Sequence, residues 1–174
     1  MKKLLFSLLM LATMNVRAQS DYDRSIDKEN GSVVFKGQIS FEDLLKEPSF
    51  SWMGKGAEDY MPDKETIAYL EKELSDYEVI VFLGTWCEDS HRLIPRLYKT
   101  LQAANYPMRR YSLYGVDRAK AAKYVENKLY KIEWVPTIIL FKKNNEVGRI
   151  VESAKKSIEE DIADIIKHDK KING

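Results

Sequence analysis

The stretch GTWCEDSHRLIP, residues 84 to 95, holds the only cysteine of the chain, Cys87. A thiolate attacks a disulfide sulfur and forms a mixed disulfide, which a second thiol then resolves. One helical turn beyond Cys87, where a resolving thiol is most useful, the residue is Ser90. Cys87 follows an apolar run and precedes a helical pattern, so it sits where unpaired backbone N–H groups and the helix dipole favour a thiolate. Ser90 can turn its hydroxyl back toward the sulfur. Glu88 and Asp89 suit a helix N-terminus and oppose a further negative charge beside them. His91 reads as an exposed helix residue of a type that titrates in the useful range. A lone cysteine also packs as a small apolar residue, and its neighbourhood has to decide between the two roles.

The elements around this turn follow from hydrophobic period. Residues 77–84, YEVIVFLG, form a continuous β-branched run that fits a strand buried on both faces. After the cysteine, Leu93, Ile94, Leu97, Tyr98 and Leu101 mark one face of a helix that Pro95 kinks. Asp63 caps a helix carrying Ile67, Leu70 and Leu74. Residues 108–117 form a second strand, and 118–130 a helix with Ala121, Ala122 and Val125 inward. Residues 137–143 and 146–153 are strands joined by a hairpin turn at Asn144-Asn145, and 157–168 close as an amphipathic helix. Before Asp63, residues 19–31 read as a flexible polar leader, 32–37 as a short strand and 41–46 as a helix with a Ser40/Asp43 capping box. Residues 49–62 have loop composition; Phe50, Trp52 and Tyr60 there either pack on the main domain or form a ligand-facing lip. The order predicts an α/β fold, a central mixed sheet with parallel strands, a terminal antiparallel hairpin and helices on both faces.

Residues 1–18 read as a secretory signal: Lys2 and Lys3, an apolar run from Leu4 to Met14, then Val16-Arg17-Ala18. The run is short for a membrane span, so no stable membrane association is expected after cleavage, and no cysteine near the junction offers a lipid site. Residues 19–62 are then leader and extension and 63–174 the main domain, with a periplasmic or extracellular location. Loss of Lys2, Lys3 and Arg17 leaves 25 Lys+Arg against 27 Asp+Glu, a formal charge of −2. No basic stripe interleaved with aromatics occurs, which argues against nucleic acid as a partner. An exported chain with one cysteine makes no internal disulfide.

The constellation resembles the thioredoxin superfamily. The carriers of that resemblance are VIVFLG, then TWCEDS where the family has W-C-x-x-C, then Pro95, then YKIEWVPTIILFKKNNEV, over residues 63 to 168. More narrowly, GTWCEDSHRLIPRLYK is similar to exported thioredoxin-like proteins of Bacteroidetes-type bacteria that carry W-C-x-D-S. The resemblance implies that Cys87 is the attacking cysteine and that Pro136 is a cis-proline facing it. It also implies that Val135 offers its backbone to an extended client, and that Trp86 shields one side unless it and Trp134 simply pack. Three positions depart from the family: Ser90 in place of the resolving cysteine, Val81 in place of a buried acid, and Glu152 in place of a groove glycine.

One cysteine permits disulfide shuffling, exchange with small-thiol adducts, and reduction of sulfenic acids with outside help. Partners are then protein thiols or disulfides, or small-molecule thiols; no cofactor and no metal are expected. The competing reading is a non-catalytic module that holds extended or unfolded clients. A cluster-carrying monothiol glutaredoxin lacks support because C-G-F-S is missing, and the Pro/Thr/Cys pattern of a peroxidase is missing too.

Overall fold

The computed structural model describes residues 21–173; the proposed signal, residues 1–18, lies outside them. Tyr22–Ile26 (β1) and Val33–Ile39 (β2) form a hairpin, followed by Phe41–Lys46 (α1), Ser51–Glu58 (α2) and Lys64–Glu73 (α3). Glu78–Leu83 (β3), Glu88–Ala103 (α4), Tyr111–Gly115 (β4) and Glu126–Leu129 (α5) come next. Thr137–Lys142 (β5), Asn145–Val151 (β6) and Ile158–Asn173 (α6) complete the chain.

The strands make one mixed sheet in the order β1-β2-β4-β3-β5-β6. Only β3 and β4 run parallel; every other pairing is antiparallel. β3 is central and buried on both faces, which explains its unbroken apolar run. Val79, Val81 and Leu83 enter the larger core cluster, with residues of α1, α2, α3, α4 and α6. Ile80 and Phe82 enter a smaller cluster on the opposite face, covered by the segment 116–135 that contains α5. Helical structure therefore lies on both faces, but unequally.

Local signals work as read at several points. Ser40 and Asp43 form the capping box of α1, and Asp63 accepts from Thr66 N–H at 2.8 Å to cap α3. Four expectations need correction. The polar leader contains β1, whose side chains are mostly exposed and whose order comes from backbone pairing with β2. Part of the expected loop 49–62 is α2, where Gly56 lets the helix press on Pro95; a Cβ there would lie 2.9 Å from the proline ring. The expected helix 118–130 shrinks to α5, Val125 is exposed, and Ala121 is only partly covered. Asp117 Oδ1 accepts from Ala121 N–H and Asn127 Oδ1 from Ala122 N–H, local bonds that compete with a helix. The β5–β6 turn sits one residue earlier than read, with positive φ at Lys143 and Asn144.

β2 and β4 approach so closely at Gly115 that a Cβ there would lie 2.1 Å from Phe35 O. The loop after β1 is held just as firmly. Asp27 is buried, accepts from Glu29 N–H and Asn30 N–H, and receives Arg118 Nε at 2.7 Å. The Arg118 guanidinium first, and the two backbone N–H groups after it, hold the Asp27 carboxyl below its ordinary value.

Two outcomes follow from these contacts. Gly115→Ala cannot be relieved by a side-chain shift, because the obstacle is backbone; urea unfolding should show a loss of about 1–3 kcal/mol. A midpoint equal to wild type would show that the strands part without cost. Since Asp27 has a lower value folded than unfolded, its contribution is complete above about pH 3.9 and is lost as pH falls through the folded value. Wild type should therefore lose more urea stability between pH 7 and pH 3 than Asp27→Asn does. Parallel acid profiles for the two proteins would remove Asp27 from the account.

Candidate active site

The turn between β3 and α4 is built on Gly84. Its missing side chain makes room for the Trp86 indole, since a Cβ would lie 2.6 Å from Trp86 Cε2. The indole Nε1–H donates to Val116 O at 2.9 Å, fixing the ring against the second core cluster. Cys87 N–H donates to Gly84 O at 2.9 Å, and Cys87 is the N-cap of α4, its carbonyl accepting from His91 N–H at 3.0 Å. The helix then runs through Pro95, whose missing N–H leaves His91 O without its helical donor.

Folding brings Cys87 to a residue 48 positions away: its half-buried Sγ donates to Val135 O at 3.4 Å. The Val135–Pro136 bond is cis, and both residues are buried. Trp134, just before them, is 54 % exposed. Glu152 N–H donates to Pro136 O at 2.7 Å. Glu152 itself has φ +60°, a left-handed conformation that favours glycine, and the residue is exposed. Trp86, Cys87, Val135 and Pro136 are thus brought together, with Glu152 at their edge.

Ser90 departs from the arrangement read in the sequence. It is fully buried, and its hydroxyl oxygen accepts from Gly84 N–H at 3.2 Å; among the described residues it makes no hydrogen bond to Cys87. The reason is geometric: the first turn of α4 carries Ser90 inward under the β3 end while Cys87 stays at the rim. Val81 is fully buried among apolar residues, so no carboxylate stands beneath the turn at that position.

His91 is half-buried rather than exposed. Its Nε2–H donates to Thr85 O at 2.8 Å, a carbonyl that can only accept, and its ring stacks on Trp52 with centroids 4.4 Å apart. The aromatic group of residues 49–62 is packing: Phe50 is buried in the core, and Tyr60 O–H donates to the buried Glu159. Burial and that bond push the Tyr60 hydroxyl well above its ordinary range.

Sequence reasoning missed two cations. Arg118 lies over the Trp86 ring at 4.8 Å while bound to Asp27 and, at 3.1 Å, to Glu29. Lys120 places its ammonium 5.9 Å from the Trp86 ring and 5.8 Å from the Trp134 ring. No spacing rule links residues 118 and 120 to the cysteine; only the return of the segment 116–135 over the sheet brings them there. Among the described residues, no group of three or more His, Cys, Asp or Glu side chains is placed to hold a metal ion. No helix among them is long and apolar enough to cross a membrane.

The family model for thioredoxin matches residues 64–167. No curated protein matches the chain. Among solved structures, reduced Schistosoma mansoni thioredoxin pre-protein is 27% identical with a TM-score of 0.38, covering 60% of this chain and 90% of that one. Chlamydomonas reinhardtii thioredoxin f2 is 22% identical with a TM-score of 0.41, covering 62% and 93%. A Pseudomonas aeruginosa protein of unknown function is 14% identical with a TM-score of 0.48, covering 78% and 87%. The family match spans more than half of the chain, from α3 through β3, the cysteine turn and the cis-proline into α6: the chain belongs to the thioredoxin family.

Proposed function

We propose that the protein is an exported monothiol exchange protein. The single observation that carries this reading is the meeting of Cys87 Sγ with Val135 O at 3.4 Å, beside Pro136, while Ser90 lies buried one turn on. The Cys87 thiolate attacks one sulfur of a client disulfide; a new S–S bond forms, the old one breaks, and the other half of the client leaves as a thiolate. Ser90 offers no second sulfur, so the mixed disulfide persists until an external protein or small-molecule thiol attacks it, restores Cys87 and carries away the client as a new disulfide. The thiol form of Cys87 donates to Val135 O; the attacking thiolate has no proton to donate, which leaves that carbonyl for an extended client docking by strand addition. Trp86 walls one side of this site, and residues 1–18 supply the export signal.

A second reading, a binding module that holds extended clients without exchange, draws support from Trp134, a large exposed ring directly before Val135.

The discriminating experiment incubates the folded protein with a peptide disulfide and resolves the products on a non-reducing gel. Wild type should accumulate an adduct that a small thiol releases, and Cys87→Ser should form none. Ser90→Cys should lose the adduct and gain reductase turnover when an electron donor reduces its internal disulfide. If wild type forms no adduct and Ser90→Cys gains nothing, the exchange reading is wrong and the binding reading stands.

A further inference from the structure

Residues 21–62 lie outside the segment that matches the family, yet they hold the turn carrying Cys87 from two sides. On the first side, β2 pairs with β4 only over Gly37–Ile39, and its first residues, from Val33, lie beyond the end of β4 at Gly115. There Thr85 replaces the missing strand. Its buried hydroxyl donates to Val33 O at 2.8 Å and accepts from Phe35 N–H at 3.1 Å. The carbonyl of the same residue receives His91 Nε2–H at 2.8 Å, and the His91 ring is held by its stack on Trp52 of α2, at 20° between planes. On the second side, Asp27 holds Arg118 over the Trp86 ring. The Thr85–Trp86 peptide and the Trp86 ring, the two groups leading to Cys87, are therefore held by residues the N-terminal extension supplies or supports.

We propose that His91 and Trp52 are positioning residues for Cys87, and that the N-terminal extension works as part of the exchange site. This rests on the reading of Cys87 as the attacking group. His91 locks the Thr85 carbonyl, which stops the Thr85–Trp86 peptide from rotating and so fixes where the N-cap residue and its sulfur lie relative to Val135. Trp52 fixes His91 in turn. A displacement of about 1 Å at a reacting atom costs up to about 100-fold in rate, so a hold of this kind acts on the rate of attack rather than on client affinity.

The test is single-turnover attack by the full chain on a short apolar peptide whose one cysteine is capped with thionitrobenzoate, followed by its release. Plateau rate and half-saturating concentration are read separately. Trp52→Leu and His91→Leu should lower the plateau at least about fivefold and leave half-saturation unchanged. Trp52→Phe, which keeps a stacking ring, and His91→Gln, which keeps an N–H donor, should stay within about twofold of wild type. Tyr77→Phe, at the far end of β3, serves as the stability control: it breaks the bond to Asp169 and should lower Tm without moving the plateau. A wild-type plateau in both leucine variants, or an equal fall in Tyr77→Phe, overturns the proposal. If wild type forms no adduct at all, the exchange reading fails on its own, and positioning is then read from alkylation of Cys87 by iodoacetamide. That rate should fall at least about threefold in the leucine variants and not in Tyr77→Phe; an unchanged rate overturns positioning as well.

Discussion

The Thr85 hydroxyl sits where a strand ends and a helix has not begun. It gives its proton to Val33 O and takes one from Phe35 N–H, completing a ladder that β4 is too short to continue. These bonds are buried, where an unpaired backbone group costs about 1–3 kcal/mol. The geometry of β2, and through it the β1–β2 hairpin, thus depends on a side chain two residues before Cys87. The dependence is mutual, because the cysteine turn is anchored by the same bonds. A segment that looks like an addition to the domain shares its polar interior with the site.

The site itself is asymmetric. Cys87 stands at the rim with its sulfur against Val135 O, whereas Ser90 faces inward and caps Gly84 N–H. In this geometry the serine is a structural element, and its hydroxyl satisfies a buried donor. A cysteine placed there would sit on the buried side of the turn. Val81 removes the chance of a buried carboxylate beneath the turn, while Arg118 and Lys120 place positive charge around Trp86 on its outer side.

Far from the cysteine, α6 is stapled by two buried carboxylates. Asp169 receives Tyr77 O–H at 2.7 Å and Lys142 Nζ at 3.1 Å; burial first, and the bond to the Asp169 carboxylate second, push the Tyr77 hydroxyl up to about 12. Glu159 receives Tyr60 O–H and Asp63 N–H. Each carboxylate has partners enough to offset its desolvation, so these contacts fix the register of α6 against α3 and the base of β3. They also secure residues 60–63, the link between the extension and the rest of the chain.

The periodic elements were legible from the residues alone. β3 carries an apolar run that only a doubly buried strand needs, α4 carries an apolar face, and Ser40 and Asp63 announce the starts of their helices. The lone cysteine was legible too, whereas Ser90 as its missing partner and the Val135-Pro136 pair came from the family resemblance that TWCEDS and WVPT carry. Tertiary structure decided the rest. β1 has no hydrophobic period, since its order comes from backbone bonds to β2 that any sequence can make. α2 was hidden by Gly54 and Gly56, and the need for a glycine at 56 appears only when Pro95 of another helix is set against it. Arg118 meets Trp86 across 32 positions of sequence and Trp52 meets His91 across 39, through a guanidinium on an indole and an imidazole on an indole. Such contacts depend on the path of the chain in space, and local spacing holds no trace of them.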